Sequence, residues 1–262
     1  MRIALTIAGS DSGGGAGIQA DLKTFQRFGV FGTSAITAIT AQNTKGVSRW
    51  EAVSAGLVRA QIDSVAEDLR PAALKTGMLA NAAIASAVAG AIRDHSLSNY
   101  VLDPVMVATS GDVLLEADAI EVIRRELIPR ALLVTPNVHE AAIFVGEAID
   151  EEEAMVRAAE SMVRDMGAQA VLIKGGHLES GDRVVDILYD GNVRAFRAER
   201  LATTNTHGTG CTLSAAITAQ LATGESLHAA VRRAIDYVHN AIATAPGLGS
   251  GHGPLNHLAK DG

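Results

Sequence analysis

The chain has 262 residues, of which 48% are hydrophobic, and it carries a formal net charge of −7. This acidic balance argues against nucleic acid or an anionic membrane surface as the main partner, and the single cysteine excludes an internal disulfide. No apolar run reaches the roughly 18 residues that a transmembrane helix needs. We therefore expect a cytoplasmic protein with one α/β domain over residues 1–262.

The N-terminal segment predicts a strand, a glycine-rich loop and a helix. Residues 3–8 are apolar and stop at a glycine, as buried strands do. Behind the loop, Ile18 and Phe25 share one face of a helix. The loop itself, residues 9–17, contains neither a G-x-G-x-x-G nor a Walker sequence, but its glycines allow a small molecule to lie against the backbone. Asp21 on the helix is either a solvated residue or an acceptor of hydrogen bonds from ring nitrogens.

The middle of the chain alternates strand and helix patterns, which favours one large α/β domain. A strand is predicted over residues 30–41, with a polar loop over residues 42–46, and a later strand ends at Asp103. In open parallel sheets, ligands lie outside the carboxyl ends of the strands. Asp103 is therefore a candidate carboxylate for phosphate or metal binding, with a simple turn as the alternative. The other elements predicted here are a helix over residues 58–69, a strand over 72–76 and a helix capped by Asn81.

Polar residues also mark strand ends in the second half of the chain. Asn137 and Glu140 have the spacing of a reciprocal helix cap. Lys174 stands at the end of a buried strand, just before two glycines, which indicates a bound anion. Strands over residues 184–190 and 192–198 are predicted to form a hairpin.

Residues 206–212 contain two glycines within a turn and are followed by a helical run from Leu213. Backbone N–H groups gathered at a helix start favour a phosphate or a developing oxyanion, and Gly208 and Gly210 let the backbone approach a ligand closely. Cys211 lies at the same helix start, where the pKa of a thiol tends to be lowered. We interpret this stretch as a phosphoryl-transfer site, with a plain glycine-rich turn as the alternative.

Several of these stretches occur together in one known family. They include the first strand with its glycine run, the Lys-Thr-Gly-Met and Asp-Pro-Val-Met sequences after two later strands, and the His-Gly-Thr-Gly-Cys-Thr sequence of the phosphoryl-transfer stretch. With them the chain resembles the hydroxymethylpyrimidine/phosphomethylpyrimidine kinases of thiamine biosynthesis, in the ribokinase-like superfamily, over nearly its whole length. The matching segments are residues 4–11, 19–25, 41–44, 75–78, 103–106, 135–137, 174–177 and 207–212.

The resemblance implies a three-layer α/β/α sandwich with a central, mostly parallel sheet and small β-hairpin or flap additions. It also implies a homodimer that uses ATP with Mg²⁺ to phosphorylate a pyrimidine alcohol and then its monophosphate in one pocket. In this sequence, Gly9 would border the pocket, and Asp21 and Gln42 would hydrogen-bond the aminopyrimidine, since a glutamine amide offers both a donor and an acceptor. Met78 and Val105 would line the faces of the ring.

The resemblance also implies the residues at the phosphate end of the site. In catalysis, Gly208 and Gly210 would stabilise the transferred phosphoryl group together with Lys174. Cys211 occupies the position of the aspartate base of other superfamily members, and it either takes the proton of the substrate hydroxyl or is a bystander. Four residues would contact ATP and two would hold Mg²⁺ through water: Lys174, Asn137, Thr209 and His207 for ATP, and Glu140 and Asp103 for Mg²⁺.

Thr109 and Thr204 stand where many members of the family have lysine. This departure puts phosphate or flap contacts at these two positions in doubt but leaves the family resemblance intact. The glycine-rich tail, residues 247–254, is either a mobile flap or terminal coil.

Two other functions stay open beside this kinase assignment. One is a pyridoxal kinase of the same superfamily, in which the Gln-Asn-Thr segment at residues 42–44 tends to be replaced. The other is a non-catalytic pyrimidine sensor or carrier, which the presence of Lys174 and of the whole 207–212 segment disfavours.

Overall fold

The computed structural model describes residues 1–107, 111, 115–176, 178 and 182–260. In this part of the chain the centre of the fold is a nine-stranded sheet. Its strands are β1 (Ile3–Asp11), β2 (Phe31–Asn43), β3 (Gly46–Ala52), β4 (Ala73–Thr76), β5 (Tyr100–Leu102), β6 (Leu133–Val134), β7 (Val171–Ile173), β8 (Arg183–Tyr189) and β9 (Val193–Glu199). They lie in the order β3-β2-β1-β4-β5-β6-β7-β8-β9.

Helices cover both faces of this sheet. One hydrophobic cluster packs α2, α3, α5 and α6 against one face, and a second packs α1, α7 and α8 against the other. The predicted three-layer α/β/α sandwich is therefore confirmed. The helices are α1 (Gly17–Arg27), α2 (Ala55–Asp68), α3 (Ala82–Asp94), α4 (Ala117–Val122), α5 (Val138–Val145), α6 (Glu152–Met166), α7 (Thr209–Ala222) and α8 (Leu227–Ala243).

The six neighbouring strands β2-β1-β4-β5-β6-β7 pair in parallel, as the alternating pattern predicts. β1 at the centre is buried on both sides, since Leu5 and Ile7 enter one hydrophobic cluster and Ala4 enters the other. The antiparallel strands β3, β8 and β9 lie at the two edges. The predicted β8–β9 hairpin is confirmed, and it continues the central sheet.

Parallel pairing brings the carboxyl ends of β1, β4, β5, β6 and β7 to one edge. Asp11 ends β1, Asp103 follows β5, and Lys174 follows β7 and bridges to Asn137 after β6. The sequence segments that were predicted to carry chemistry thus meet at the same edge. The described part of the chain contains no helix that is long and apolar enough to cross a membrane.

Two parts of the fold differ from the sequence prediction. The polar loop predicted over residues 42–46 is wrong, because β2 continues to Asn43 and the chain turns at once into β3. β3 is mostly exposed and carries Arg49 and Glu51, so it lacks the apolar alternation of a core strand. The irregular helical segment over residues 117–130, which includes α4, was also missed.

The glycine-rich tail is neither loose coil nor a free flap in this structure. His252 donates its backbone N–H to the Thr44 carbonyl at 2.7 Å, and Gly253 accepts from the His207 N–H at 3.1 Å. Leu255 behind them is buried. The tail is therefore a packed segment that joins the β2–β3 turn to residue 207.

Candidate active site

The start of α7 forms the centre of the candidate site. Gly208 is the N-cap residue, with φ +80°, and the helix begins at Thr209, earlier than the predicted start at Leu213. Thr212 donates to the Gly208 carbonyl at 2.8 Å, which is the first helical bond. Among the residues that the structure describes, the N–H groups of Gly210 and Cys211 have no acceptor. We call residues 208–211 the amide cradle, because its unpaired N–H groups lie at the positive end of the helix.

The two glycines of the amide cradle are required for different reasons. A Cβ at Gly208 would lie 1.9 Å from the Gly15 carbonyl oxygen, so this glycine allows the cradle to pack on the glycine-rich loop. A Cβ at Gly210 would lie 3.2 Å from Nζ of Lys174. Gly210 therefore brings an ammonium group directly beside the unpaired N–H groups.

Lys174 and Asp103 form an ion pair behind the cradle. Nζ of Lys174 donates to Oδ1 of Asp103 at 3.0 Å, and Ser214 of α7 donates to Oδ2 at 3.1 Å. Asp103 is buried, and its carbonyl also accepts the Val105 N–H at 2.9 Å in a turn, so a role toward phosphate or metal stays a prediction. Burial alone would raise the pKa of Asp103, but the ammonium groups of Lys174 and Lys75 and the two hydrogen bonds hold it below its ordinary value. Lys174 therefore has a permanent anionic partner that fixes its position.

Asn137 and Glu140 form the reciprocal cap that their spacing predicts. The Glu140 N–H donates to Oδ1 of Asn137 at 2.9 Å, and the Asn137 N–H donates to Oε2 of Glu140 at 2.8 Å. Burial raises the pKa of Glu140 to about 7, despite the neighbouring Lys174. Both side chains thus hold the start of α5 beside Lys174, whose own N–H donates to the Pro136 carbonyl at 2.9 Å.

Cys211 is half-buried in the first turn of α7. The predicted lowering of its pKa is wrong. Burial raises the pKa of the thiol to about 11, and the carboxylates of Asp21 and Asp103 act in the same direction, against the ammonium of Lys75. Desolvation and the two carboxylates therefore outweigh the ammonium of Lys75, and the thiol is protonated at neutral pH.

Alkylation of Cys211 should report this raised pKa directly, because the chain has one cysteine. Only the thiolate reacts with iodoacetamide, so the rate in the free enzyme should climb about tenfold per pH unit, without levelling off below about pH 10. The rate would be measured by mass spectrometry alongside glutathione, with the Cys211→Ala variant as the blank. A plateau near neutral pH would show that the thiol pKa is lowered instead.

Asp21 belongs to a buried ion pair that the sequence analysis missed. Nζ of Lys75 in β4 donates to Oδ1 of Asp21 at 2.8 Å, and Oγ1 of Thr6 donates to Oδ2 at 2.6 Å. Lys75 and Asp21 are each 0% exposed, so the solvated alternative for Asp21 is wrong. Burial lowers the pKa of Lys75, but Asp21 more than offsets this and leaves it above its ordinary value. The available signal was a lysine inside a strand whose other positions are apolar or small.

Removal of one partner from this ion pair should destabilise the fold strongly. Lys75→Met leaves Asp21 as an uncompensated buried charge, and we expect a loss of about 3–5 kcal/mol in the free energy of unfolding. Urea denaturation monitored by circular dichroism measures the loss. The double variant Lys75→Met/Asp21→Asn is the control, since neutralising both partners should recover much of the stability. Equal stability of the single variant and the wild type would contradict the importance of the pair.

The residues assigned to the pyrimidine lie along the carboxyl ends of β1, β2, β4 and β5. Met78 packs on Gly9, where a Cβ would lie 3.0 Å from its Sδ atom. Val105 is half-buried and packs against the same hydrophobic cluster as Met78. Oε1 of Gln42 accepts a hydrogen bond from Thr40 at 3.2 Å. Among the described residues, Nε2 of Gln42 has no acceptor, so this donor is available to a ligand.

The structure gives internal partners to two residues that were assigned to ATP. Nε2 of His207 lies 2.9 Å from Oδ2 of Asp11, and Oγ1 of Thr209 donates to the Thr206 carbonyl at 2.6 Å. Their roles toward ATP stay predictions. Two further positions singled out in the sequence, Thr109 and His177, lie outside the described residues.

The donor set of this edge fits the type of Mg²⁺ site that the family resemblance implies. Mg²⁺ in phosphoryl-transfer sites is held by one or two carboxylates, the substrate phosphates and several waters. Asp103 and Glu140 both lie close enough to Lys174 to influence its pKa. Within the described residues, no group of three or more His, Cys, Asp or Glu side chains could hold a metal. Asp103 and Glu140 supply two carboxylates near Lys174, which is the number that such a phosphate-bound ion uses.

Comparison with known proteins points to one family. The family model described as Phosphomethylpyrimidine kinase matches residues 11–256 of this chain. The hydroxymethylpyrimidine/phosphomethylpyrimidine kinase of Bacillus subtilis (strain 168) is 50% identical over 257 residues, which cover 98% of this chain and 94% of that protein.

Solved structures show the same fold. The phosphomethylpyrimidine kinase of Clostridium difficile 630 is 42% identical, with a TM-score of 0.82, over 92% of this chain and 100% of that chain. The ADP complex of Bacillus subtilis pyridoxal kinase is 38% identical, with a TM-score of 0.91, over 99% of this chain and 98% of that chain. These likenesses confirm the predicted ribokinase-like fold.

Proposed function

The chain belongs to the phosphomethylpyrimidine kinase family, and we propose that it transfers phosphoryl groups from ATP to hydroxymethylpyrimidine and then to the resulting monophosphate, in thiamine diphosphate biosynthesis. The observation that carries the proposal is the amide cradle. Two unpaired N–H groups, those of Gly210 and Cys211, lie beside Nζ of Lys174, at the sheet edge where ligands bind in such folds. This arrangement suits the negative charge of a phosphoryl group in transfer.

Each part of the site has a role in this reaction. The N–H groups of Gly210 and Cys211 stabilise the equatorial oxygens of the transferred group, and Lys174 offsets the charge that builds up on the leaving phosphate. Cys211 takes the proton of the substrate hydroxymethyl group in the fraction of molecules whose thiol is ionised, or it is a bystander and the N–H groups with Lys174 suffice. When bound, ATP supplies the phosphoryl group, and Mg²⁺, held through water by Asp103 and Glu140, offsets the charge of its phosphates.

The pyrimidine end of the site is set by shape and by hydrogen bonding. Met78 and Val105 bound the faces of the ring, and Gly9 leaves room for its edge. Gln42 bonds the aminopyrimidine edge, with its free Nε2 as a donor. A bond from Asp21 to the ring requires access to its carboxylate, which is 0% exposed and held by Lys75 and Thr6 in this structure. Asn137, Thr209 and His207 border the ATP side of the cradle.

Mass spectrometry of the products formed from ATP, Mg²⁺ and hydroxymethylpyrimidine tests the proposal. We expect the monophosphate to appear first and the diphosphate to follow. The absence of both products, with ligand-dependent melting retained, would favour a non-catalytic pyrimidine-binding protein.

Pyridoxal kinase is the second candidate, because the pyridoxal kinase structure matches this chain with a TM-score of 0.91. The Gln-Asn-Thr segment at residues 42–44 favours the aminopyrimidine. Comparison of kcat/KM for hydroxymethylpyrimidine and for pyridoxal separates the two functions, and a clear preference for pyridoxal would overturn the proposal.

We also propose an oligomeric state and a location for the enzyme. It acts as a homodimer of single-domain subunits in the cytoplasm, without nucleic acid or membrane partners. Sedimentation equilibrium of the purified chain tests the dimer, and a monomer at micromolar concentration would contradict it.

A further inference from the structure

We propose that Asp11 and His207 are positioning residues that fix the amide cradle against the glycine-rich loop during phosphoryl transfer. The inference rests on the proposed function, since the cradle is its phosphoryl-binding element. It gives Asp11 a role that the sequence did not indicate, and it changes the role of His207 from a ligand contact to a support.

Asp11 organises the glycine-rich loop from the end of β1. Its Oδ1 accepts the Gly13 N–H at 2.7 Å, and its Oδ2 accepts the N–H groups of Gly15 and Ala16 at 3.0 and 2.8 Å. Asp11 is 2% exposed. One carboxylate therefore accepts hydrogen bonds from three backbone N–H groups of the loop.

His207 connects this carboxylate to the start of α7. Its Nε2 lies 2.9 Å from Oδ2 of Asp11, and its ring packs so closely on the loop that a Cβ at Gly15 would lie 2.5 Å from Cδ2. Its backbone N–H donates to the Gly253 carbonyl at 3.1 Å. The ring of His207 is buried, and its Nε2 is paired with Asp11. His207 therefore holds the loop, the cradle and the C-terminal tail in position relative to one another.

The loop then sets the position of the cradle by direct contact. The Gly15 carbonyl lies against Gly208, since a Cβ there would be 1.9 Å from its oxygen. The Gly208 carbonyl accepts the first helical bond of α7, from the Thr212 N–H, so the contact with Gly15 acts on the residue at which the helix starts. A shift of the loop thus moves the N–H groups of Gly210 and Cys211 relative to Lys174, which is held separately by Asp103.

Phosphoryl transfer is sensitive to such shifts, because a misplacement of about 1 Å lowers the rate by about 10²-fold. If His207 and Asp11 are positioning residues, their loss should lower kcat and leave the KM values for pyrimidine and ATP nearly unchanged. If the imidazole of His207 binds ATP directly, its loss should raise the KM for ATP.

The test compares three variants of the full chain with the wild type. His207→Phe keeps an aromatic ring but removes the Nε2 atom that pairs with Asp11. Asp11→Asn replaces the carboxylate by an amide, which is a weaker acceptor. His207→Gln supplies an N–H donor at about the same distance from the backbone as Nε2. The matched control is His95→Phe, which breaks another His–Asp pair, with Nε2 2.6 Å from Oδ1 of Asp63, on helices α2 and α3. Each variant is assayed for kcat, KM and thermal midpoint. The alkylation rate of Cys211 is also measured, because it reports exposure of the α7 start independently of activity.

We expect His207→Phe to lower kcat by about 10²-fold, with KM values within about threefold, and to speed alkylation of Cys211. His207→Gln should recover most of the wild-type kcat. The double variant Asp11→Asn/His207→Phe should have a kcat no lower than that of the slower single variant, because both substitutions break the same contact. His95→Phe should lower the thermal midpoint and leave kcat intact.

Three results would overturn the inference. These are an unchanged kcat in folded His207→Phe, a rise in the KM for ATP alone, and a fall in kcat for His95→Phe equal to that for His207→Phe. A wild-type enzyme without kinase activity would reject the proposed function instead. In that case the alkylation rates still decide whether His207 holds the start of α7.

Discussion

Gly208→Ala is expected to lower kcat by at least about 10²-fold, while the protein keeps its fold. The added Cβ would lie 1.9 Å from the carbonyl oxygen of Gly15 and 2.8 Å from its carbonyl carbon. Both atoms belong to backbone that Asp11 and His207 hold in place, so the loop has little freedom to retreat. The cradle must therefore move, and its free N–H groups leave the position beside Lys174. Steady-state kinetics with hydroxymethylpyrimidine and ATP measure the loss.

Gly224→Ala provides the matched control for this substitution. Gly224 has φ +94°, close to the +80° of Gly208, but no heavy atom lies within 4 Å of its added Cβ. It should suffer only the left-handed backbone strain of alanine, roughly 1–2 kcal/mol, and keep its turnover. If Gly208→Ala also kept turnover within a few-fold of the wild type, close packing of cradle and loop would not matter for catalysis.

The kcat of Gly210→Ala should lie between those of Gly208→Ala and Gly224→Ala. Its Cβ would meet Nζ of Lys174 at 3.2 Å, which is the mobile end of a long side chain. A displacement of a few tenths of an ångström relieves this contact but separates the ammonium from the cradle. We expect a smaller fall in kcat than for Gly208→Ala, measured in the same assay.

The fold was predictable from the sequence where local pattern and tertiary packing agree. The central strands are apolar runs ended by glycine or a polar residue, and the helices between them carry apolar faces, so a parallel sheet follows. Local capping rules also succeeded. Asn81 accepts the Ile84 N–H at 3.0 Å, and the Asp190-Gly191 sequence lies at the β8–β9 turn. These signals depend on residues within a few positions of one another.

The sequence does not predict the contacts that join distant parts of the chain. Asp11 and His207 are 196 residues apart, and Lys75 and Asp21 are 54 apart, so no spacing rule could pair them. β3 was missed because it shows no regular apolar alternation: only Val47 and Trp50 pack against the core, and most of the strand is exposed. The start of α7 was placed late because the two glycines resemble a turn, whereas Thr209 and Gly210 already lie in the helix.

The predicted lowering of the Cys211 pKa is wrong for the same reason, because the groups around the thiol come from distant parts of the chain. The local rule considers the helix start, which favours a thiolate, but the surroundings of the thiol are set by α1, β4 and the end of β5. These elements bring Asp21, Lys75 and Asp103 near the thiol, and burial excludes water from it. The single ammonium offsets only part of the effect of burial and of two carboxylates. The sequence could thus place the thiol in the site, but it could not predict its protonation state.

This protonation state sharpens the test of Cys211 as the general base. With a pKa of about 11, the thiolate is a minor species at neutral pH, so turnover that depends on it should rise about tenfold per pH unit over the neutral range. Cys211→Ala should lower kcat by about 10²–10⁴-fold, the range associated with a general base, and should lose the pH dependence. The measurement is kcat between about pH 6.5 and pH 9.5 for both enzymes, at saturating ATP and pyrimidine.

Cys211→Ser separates the base from the amide cradle. Serine keeps the backbone N–H and nearly the same shape, but its hydroxyl is far weaker as a base than the thiolate. If the sulfur accepts the substrate proton, serine and alanine should be equally slow, and both profiles should be flat. Turnover of either variant within a few-fold of the wild type would instead make Cys211 a bystander. Catalysis would then rest on the N–H groups of Gly210 and Cys211 with Lys174, because a loose transition state needs little help from a base.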